Sequence, residues 1–308
     1  MILTVTLNTA LDLTYKVPAL VPHSSHRVTE VTERPGGKGL NVARVLAALG
    51  HETVVTGFAG GPTGAVLRSM LADLPVREAL VPVAGNTRRT IAVADATTGD
   101  TTQLNEPGPT VTADEWAAFL TSYETLLQGA DAVALCGSLP PGIHVGAYAE
   151  LIRRARAAGV PALLDTSGEP LRRGIAARPD LIKPNADELA RLTGSREPLR
   201  ATRDARRRGA HSVVSSLGAD GIIAATPDGI WQAPPPVKVR GNPTGAGDSA
   251  VAGILSGLVE SLPWPDRLAR AVALATATVL APAAGEYVTA SYEALLPEVK
   301  VTAAEHAA

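Results

Sequence analysis

The chain has one cysteine and no long uninterrupted apolar run, and these shortages exclude several kinds of protein. Because Cys136 is the single cysteine among 308 residues, neither an internal disulfide framework nor a cysteine-based zinc cluster can form. Cys136 ends the apolar stretch 131–136, typical of a buried strand, so we interpret it as a core residue and not as a nucleophile. No apolar run is long enough to span a membrane. The first seven residues lack the basic segment of a signal peptide and favour a strand, so we expect a cytoplasmic protein.

The chain also lacks an excess of charge of either sign. Its formal net charge is −2 at pH 7. The sequence therefore does not predict the strongly basic surface with which proteins bind nucleic acid or a membrane. Hydrophobic residues make up 45% of the sequence, enough to fill a sizeable core. The length suits one large α/β domain with a small appendage, or two domains. Lysine is scarce, with 5 lysines against 23 arginines, so the positions of Lys38 and Lys183 inside sequence motifs stand out.

Apolar runs alternate with amphipathic stretches along most of the chain. This rhythm predicts an α/β fold with a mostly parallel sheet and helices on both of its faces. Strands are predicted near residues 54–58, 132–135, 162–165, 181–183, 212–215 and 222–225. Helices are predicted near residues 64–71, 113–127, 145–158, 186–192, 199–208 and 266–280.

Two pairs of short segments break this alternation. Residues 14–17 with 27–32, and residues 90–94 with 101–105, are strand-like and separated by turn residues such as those at 98–100. They predict a small β-sheet that stands off the core. We therefore expect a single domain over residues 1–308, with the small sheet formed by about 12–34 and 86–106.

The most informative motif lies at residues 242–249, where Gly245, Ala246 and Gly247 directly precede the carboxylate of Asp248. The apolar run that follows is typical of a buried helix, whose first turn offers free N–H groups and the positive end of the helix dipole to an anion. A carboxylate would repel a merely bound phosphate. It is expected if the turn stabilises charge during phosphoryl transfer while Asp248 takes a proton from the attacking hydroxyl. The alternative is a glycine-rich turn that caps a core helix.

A second glycine-rich motif begins at residue 36 and leads into another predicted helix that ends at Gly50. Lys38 and Asn41 share a face of its first turn, and Gly37 allows a ligand to approach the backbone. The pair offers donors suited to hydroxyls or phosphate. The motif has neither the spacing of a P-loop nor a strand leading directly into it, as a dinucleotide fingerprint would. For the pair alone, an ordinary solvated helix start is the favoured interpretation.

With both motifs in view, the chain resembles the PfkB (ribokinase-like) carbohydrate kinase family from end to end. The motifs that carry the resemblance lie, in order, at residues 6–12, 36–41, 87–88, 105–109, 137–142, 165–168, 183–189, 216–221 and 244–248. Motifs 6–12 and 137–142 and the closing 295–301 resemble the branch that phosphorylates sugar phosphates, which includes 1-phosphofructokinases, tagatose-6-phosphate kinases and minor 6-phosphofructokinases. The resemblance implies a three-layer α/β/α sandwich, and it makes the small sheet a lid that pairs two subunits as a homodimer.

The resemblance also implies a substrate site. Arg88 would hold the phosphate that the sugar already carries, because a guanidinium fork suits a phosphate dianion, and Arg27 is a weaker candidate for that role. Asp12, taken to end the first strand, would bind sugar hydroxyls, although an aspartate there is usually a turn residue. Ser138 follows a strand at the carboxyl edge, where it would bind a hydroxyl or cap a helix. The remaining implied substrate ligands are Gly37, Lys38 and Asn41.

The later motifs resemble the nucleotide site of the family. Asn185 and Glu188 would organise Mg²⁺ through water, or form a helix capping box, and both roles are compatible. Lys183 would face the phosphates. The residues implied to lie along the nucleotide are Lys183, Asn185, Ser216, Gly218, Gly221 and Thr244, with the glycines allowing close approach of adenosine.

The resemblance thus implies a kinase that uses ATP and Mg²⁺, with Asp248 as the base and residues 245–247 as the anion hole. Motif 105–109 and the chain end favour fructose 1-phosphate, which would become fructose 1,6-bisphosphate. Thr90 is typical of tagatose-6-phosphate kinases, which makes tagatose 6-phosphate one alternative substrate. Motifs 165–169 and 234–238 resemble those of 6-phosphofructokinases, which makes fructose 6-phosphate another. A kinase of an unphosphorylated sugar or nucleoside is disfavoured by Arg88. A non-catalytic sugar-phosphate sensor is disfavoured by Asp248, since a sensor needs no base.

Overall fold

The computed structural model describes residues 1–281 and 285–304 and contains one large and one small sheet. In chain order the strands are β1 (Ile2–Thr6), β2 (Ala10–Val17), β3 (Glu30–Gly36), β4 (Thr53–Gly60), β5 (Arg77–Glu78), β6 (Val81–Val83), β7 (Arg88–Asp95), β8 (Thr101–Asn105), β9 (Ala132–Cys136), β10 (Ala162–Asp165), β11 (Leu181–Ile182), β12 (Ser212–Ser216), β13 (Ile222–Thr226), β14 (Gly229–Ala233) and β15 (Thr302–Ala303). The helices are α1 (Lys38–Ala48), α2 (Gly61–Ala72), α3 (Ala113–Leu127), α4 (Ala147–Ala157), α5 (Gly168–Ala176), α6 (Ala186–Thr193), α7 (Pro198–Arg207), α8 (Ala246–Val259), α9 (Trp264–Val279) and α10 (Thr289–Leu295).

The large sheet is mostly parallel, as the sequence predicts. Its strand order is β15-β14-β13-β12-β11-β10-β9-β1-β4-β5, with β6 paired to the end of β4. The pairs between β5 and β12 are parallel, whereas β13, β14 and β15 continue the sheet by antiparallel pairing. Because the carboxyl ends of parallel strands meet at one edge, the residues that follow β9, β10 and β11 come together there.

Helices cover both faces of this sheet. One face packs against α3 to α7, and the large buried side chains there include Phe119 and Tyr123. The other face packs against α1, α8 and α9, with α2 beside α1. The central strand β1 serves both layers, because successive side chains point to opposite faces, with Ile2 in one core and Leu3 in the other. The predicted three-layer α/β/α sandwich is confirmed.

The small sheet has the order β3-β2-β7-β8, and we call these four strands the lid. The two predicted pairs of strands are both present, but they join through parallel pairing of β2 with β7. In that register Ala10 pairs with Arg88 and Asp12 with Thr90, so Asp12 and Arg88 lie on the same face of the lid.

Three local expectations need correction. Asp12 does not end the first strand, since β1 stops at Thr6 and Asp12 lies inside β2. A strand does lead into the second glycine-rich motif, because β3 runs to Gly36, one residue before the cap of α1. Arg27 precedes β3 and does not lie on a strand.

Several elements escaped prediction because their sequences carry weak patterns. The nine residues of α5 include Gly168, Pro170 and Gly174, which are poor helix formers, whereas β5 and β15 have two residues each. The strand β14 and the helix α10 also went unpredicted. Among the described residues, no helix is both long and apolar enough to cross a membrane.

Candidate active site

The N-terminus of α8 forms the glycine-rich turn that the sequence predicts to bind an anion, and we call it the anion-binding turn. Gly245 caps the helix with φ 86°, a left-handed conformation that a side chain would strain. Ser249 N–H donates to Gly245 O at 2.9 Å, whereas the N–H groups of Gly247 and Asp248 donate to no group of the described residues. These free donors lie at the positive end of the helix dipole, which is the local geometry that the sequence predicts.

Asp248 lies in this first turn and is almost completely buried, with 6% of its surface exposed. Asn41 Nδ2, at the start of α1, donates to Asp248 Oδ2 at 2.8 Å. Burial raises the pKa of Asp248 to about 6, and Lys38 opposes part of that rise. A carboxylate with this pKa is mostly ionised at neutral pH and remains basic enough to accept a proton.

A buried carboxylate, Asp165 at the end of β10, joins two lysines beside this turn. Lys38 Nζ donates to Asp165 Oδ1 at 3.1 Å, and Lys183 Nζ lies 3.9 Å from Asp165 Oδ2. Asp165 is 1% exposed, and its charge is the main reason that the pKa of Lys38 is raised. A Cβ built on Gly247 would lie 3.5 Å from Lys183 Nζ. Both lysines are thus held next to the anion-binding turn.

The lid contributes Asp12 and Arg88 from neighbouring strands. Arg88 Nε donates to Asn8 O at 3.2 Å and Nη1 donates to Glu106 O at 3.3 Å, so the guanidinium is fixed by backbone carbonyls. Burial raises the pKa of the Asp12 carboxyl, and Arg88 opposes part of that rise. The adjacent Arg89 instead forms an exposed ion pair with Glu106.

A cavity of about 840 Å³ separates the lid from the carboxyl edge of the large sheet. Its lining brings together five of the predicted site residues from separate elements: Gly37, Lys38, Arg88, Ser138 and Glu188. Asp12 and Asp248 do not line it. Arg27 is exposed and lies outside the lining, so the structure does not bring it to this cavity.

Ser138 is held in the cavity by a residue that sequence reasoning missed. Asn8 Nδ2 donates to Ser138 Oγ and to Pro107 O, both at 3.1 Å. The alternative that Ser138 caps a helix is wrong, because α4 begins at Ala147. Asn8 Oδ1 is buried without a hydrogen-bond partner in the described part of the chain.

Asn185 and Glu188 form the capping box of α6. Glu188 N–H donates to Asn185 Oδ1 and Asn185 N–H donates to Glu188 Oε2, each at 2.9 Å. The other carboxylate oxygen, Glu188 Oε1, accepts no hydrogen bond from the described residues, and Glu188 borders the cavity. One available carboxylate oxygen fits a hard cation such as Mg²⁺ that keeps several of its waters. The described residues contain no cluster of three or more metal-ligating side chains.

The remaining predicted nucleotide residues include Ser216, Gly218 and Gly221, which lie in one strand–turn–strand segment. The strand–turn–strand prediction is confirmed: β12 ends at Ser216, the turn contains Gly218 and Gly221, and β13 runs back antiparallel. Ser216 is bridged to Asn185. Thr244 is exposed directly before Gly245, and its N–H donates to Asn242 Oδ1 at 3.0 Å.

Comparison with known protein families decides what kind of site this is. Residues 4–290 match the model of the pfkB family of carbohydrate kinases. The chain belongs to this family. It is an ATP-dependent sugar kinase, and its sandwich with a separate small sheet is the ribokinase-like fold of pfkB kinases.

Solved structures of similar kinases cover nearly the whole chain. A mutant of phosphofructokinase-2 from Escherichia coli is 30% identical with a TM-score of 0.90, and the match covers 96% of this chain and 98% of that one. The same enzyme in complex with fructose-6-phosphate gives a TM-score of 0.86 at 30% identity over the same shares of both chains. A possible 1-phosphofructokinase from Thermotoga maritima is 27% identical with a TM-score of 0.86, and the match covers 99% of this chain and 100% of that one.

The pfkB kinase site contains two residues without a predicted role, Asp165 and Asn8. Asp165 is the last residue of β10, at the carboxyl edge where Ser138 and Lys183 also lie, so its position was predictable from the sequence. Its contact with Lys38 joins residues that are 127 positions apart in the chain, so that contact was not predictable from the sequence. Asn8 lies in motif 6–12, but its contacts were not predictable, since its partners Pro107 and Ser138 are 99 and 130 residues distant in the chain.

Proposed function

We propose that this kinase transfers the γ-phosphoryl group of ATP to a ketohexose phosphate, with fructose 1-phosphate as the first candidate and fructose 1,6-bisphosphate as its product. The observation that carries the proposal is Arg88. Its guanidinium lines the cavity, is held by two backbone carbonyls and forms no ion pair with a carboxylate of the described residues. A partly buried, unpaired and oriented guanidinium is suited to a phosphate dianion.

The chemistry follows from the turn at Gly245. The substrate hydroxyl gives its proton to Asp248 as its oxygen forms a bond to the γ-phosphorus, and the bond between that phosphorus and the bridging oxygen of ADP breaks. The N–H groups of Gly247 and Asp248, together with Ala246 and Gly245 that shape the turn, stabilise the charge on the transferring group. Lys183, beside Gly247, adds a positive charge at the same place.

The sugar-binding residues divide between the two sides of the cavity. Asp12 and Arg88 come from the lid, whereas Lys38 and Asn41 come from α1 and Ser138 from the carboxyl edge. Gly37 keeps the start of α1 free of a side chain. We do not include Arg27, because its exposure removes the support for a contact with substrate.

We also propose that residues 1–308 form a single domain, in which the lid comprises about residues 12–34 and 86–106.

The nucleotide would lie along Lys183, Asn185, Ser216, Gly218, Gly221 and Thr244. The bridge between Asn185 and Ser216 supports this placement, because it joins the two nucleotide segments next to the anion-binding turn. Mg²⁺ would be held by Glu188 and Asn185 through water, and when bound it would neutralise charge on the phosphates.

Two other substrates have specific support. Fructose 6-phosphate is supported by the similarity to phosphofructokinase-2 from Escherichia coli, which has been solved with that sugar. Tagatose 6-phosphate is supported by Thr90, which pairs with Asp12 in the lid. Fructose 1-phosphate is preferred because of motif 105–109 and the similarity to the possible Thermotoga maritima 1-phosphofructokinase.

The lid also supports the proposal of a homodimer. Val31 and Leu104 on its two edge strands are 55% and 57% exposed, and a second copy of the lid would cover such apolar side chains. Light scattering after size exclusion tests this: a dimer that becomes a monomer in Val31→Asp supports pairing through the lid, and a wild-type monomer contradicts it.

A substrate panel tests the proposed function. The purified kinase is assayed with Mg·ATP and fructose 1-phosphate, tagatose 6-phosphate, fructose 6-phosphate or fructose, and ADP release is measured in one coupled format. We expect one ketohexose phosphate to exceed the others by at least a hundredfold in kcat/KM. If free fructose is the best substrate, or if no sugar is phosphorylated, the proposal of a sugar-phosphate kinase is wrong.

A further inference from the structure

A second cavity, of about 900 Å³, lies at the opposite edge of the large sheet. It is bordered by the residues that precede β11 and β12 and by the turn between β13 and β14. The active-site cavity lies at the carboxyl edge, so the two cavities do not share residues. The lining of the second cavity contains Arg156, Arg178, Arg203, Arg206, Arg207 and His211.

Most of these arginines lack a carboxylate partner. Arg207 pairs with Asp204 at 3.4 Å, but the other four arginines form no ion pair within the described residues. Some arginines outside the cavity are paired, as Arg68 with Glu78 and Arg270 with Glu260, so what distinguishes this group is that five arginines line one concavity. Two aspartates also line the cavity, and one of them, Asp180, accepts a hydrogen bond from Ala162 N–H at 2.8 Å. Positive charge therefore remains in excess.

The arrangement is unfavourable for the free protein. Arg203, Arg206 and Arg207 lie three and four residues apart on the last turns of α7, where like charges repel. The helix dipole stabilises a cation at a helix C-terminus, but this effect does not explain why three arginines lie together at the end of α7. Arg178 follows the cap of α5 with φ 59°, a left-handed position at which glycine is usual. Strain of this kind persists where a side chain has a role.

The C-terminal ends of α5 and α7, which carry these arginines, are in close backbone contact. Gly209, just after α7, lies so close to the end of α5 that a Cβ would be 2.6 Å from Ile175 O. Arg178 and the α7 arginines are thereby held around one concavity.

We propose that this arginine cavity binds a small anion that carries a phosphoryl group. Guanidinium forks match phosphate oxygens. Asp180 and Asp228 offset two of the four arginines outside the Arg207 pair, so the remaining excess of positive charge equals the charge of one phosphate dianion. The volume is that of a small-molecule site. No Phe, Tyr or Trp side chain is among the described residues that line the cavity, so a nucleic-acid base would find no large aromatic face on which to stack. The proposal is independent of the substrate proposed above.

Calorimetric titration with sodium tripolyphosphate tests it. The variant is Arg178→Gly/Arg203→Ala, in which glycine relieves the left-handed strain and should keep the protein folded. The matched control is Arg200→Ala/Arg208→Ala, since these exposed arginines flank the same helix outside the cavity. Binding at the α8 turn is common to all three proteins, so only the difference between them is diagnostic. We expect the variant to lose one binding event, or to weaken it at least tenfold, while the control and the kinase activity of both stay unchanged.

Three outcomes would overturn the proposal. If all three proteins titrate alike, the cavity does not bind the anion. If both double variants weaken equally, the effect is one of overall charge. If single-stranded DNA of twenty nucleotides binds the wild type as tightly as tripolyphosphate, the surface is not a small-molecule site.

Discussion

Asn41 Nδ2 donates a hydrogen bond of 2.8 Å to Asp248 Oδ2, across 207 residues of sequence. The bond joins the first turn of α1 to the first turn of α8, so each glycine-rich motif orients the other. It fixes one carboxylate oxygen of Asp248 and leaves Oδ1 to receive a proton.

Asp248→Asn should abolish catalysis while leaving nucleotide binding nearly intact. The amide keeps the size of the carboxylate but cannot accept the hydroxyl proton, so we expect kcat to fall by about 10²–10⁴. Single-turnover kinetics with calorimetry of ATP binding measure the two effects separately. Asp187→Asn, on the exposed start of α6, is the control and should keep wild-type kcat. Retention of activity by Asp248→Asn would remove the base assignment.

The pH dependence of activity should follow the same carboxylate. Because burial raises the pKa of Asp248 to about 6, the ionised base is lost as the pH falls through this value. We expect kcat/KM to drop tenfold per pH unit below about pH 6 and to level off above pH 7. A profile that stays flat down to pH 5 contradicts this.

Stability should depend on Asp248 in the opposite sense. A carboxyl pKa that is raised on folding stabilises the folded state at pH values below the unfolded pKa, and this contribution is lost as the pH rises through about 6. Removing the buried charge in Asp248→Asn should therefore stabilise the protein by up to about 3 kcal/mol at pH 8, with little difference at pH 4. Urea unfolding at both pH values measures the difference. Equal stabilities at pH 8 would show that burial of this charge costs little.

Asp165 should be important for folding as well as for the position of the lysines. In Asp165→Asn, the buried ammonium group of Lys183 and the partly exposed one of Lys38 lose their counter-ion, and breaking a buried pair typically costs about 3–5 kcal/mol. Thermal unfolding should show a clear fall in Tm. The matched control is Asp131→Asn, which removes an exposed pair with the N-terminal amine and should cost at most about 1 kcal/mol. Similar shifts in Tm for both variants would contradict the buried-pair account.

Glu188→Gln separates the capping role from the proposed metal role. Glutamine can still accept the hydrogen bond from Asn185 N–H, so α6 should remain capped, but it removes the charge of Oε1. We expect the Mg²⁺ concentration for half-maximal activity to rise about tenfold, as is typical of losing an outer ligand partner. Glu115→Gln alters the equivalent capping box of α3, which does not line the cavity, and should leave the Mg²⁺ dependence unchanged. An unchanged requirement in Glu188→Gln would leave Glu188 with the capping role alone.

The parts of this molecule that depend on short segments were predictable from sequence. The glycine-rich turn before Asp248, the capping box of Asn185 with Glu188 and the helix at Ala113–Leu127 all result from residues within a few positions of one another. Alternating apolar runs were enough for the layers of the fold, because each strand and helix must bury one face.

The parts that depend on distant contacts were not predictable in this way. The parallel pairing of β2 with β7 places Asp12 beside Thr90, which no local pattern encodes. The two lysines meet at Asp165 only after β10, β11 and α1 have packed together. Arg27 stays a prediction without structural support, because it precedes β3, is exposed and lies outside the cavity lining.

The preference for fructose 1-phosphate over fructose, compared between the wild type and Arg88→Ala, tests the central claim most directly. The ratio of the two kcat/KM values isolates the contact with the substrate's own phosphate. We expect the wild-type ratio to be at least a hundredfold and the Arg88→Ala ratio to fall below tenfold, because a charge-assisted bidentate contact is lost. Arg89→Ala, which removes the neighbouring exposed arginine, should keep the wild-type ratio. A ratio that Arg88→Ala leaves unchanged would contradict the account.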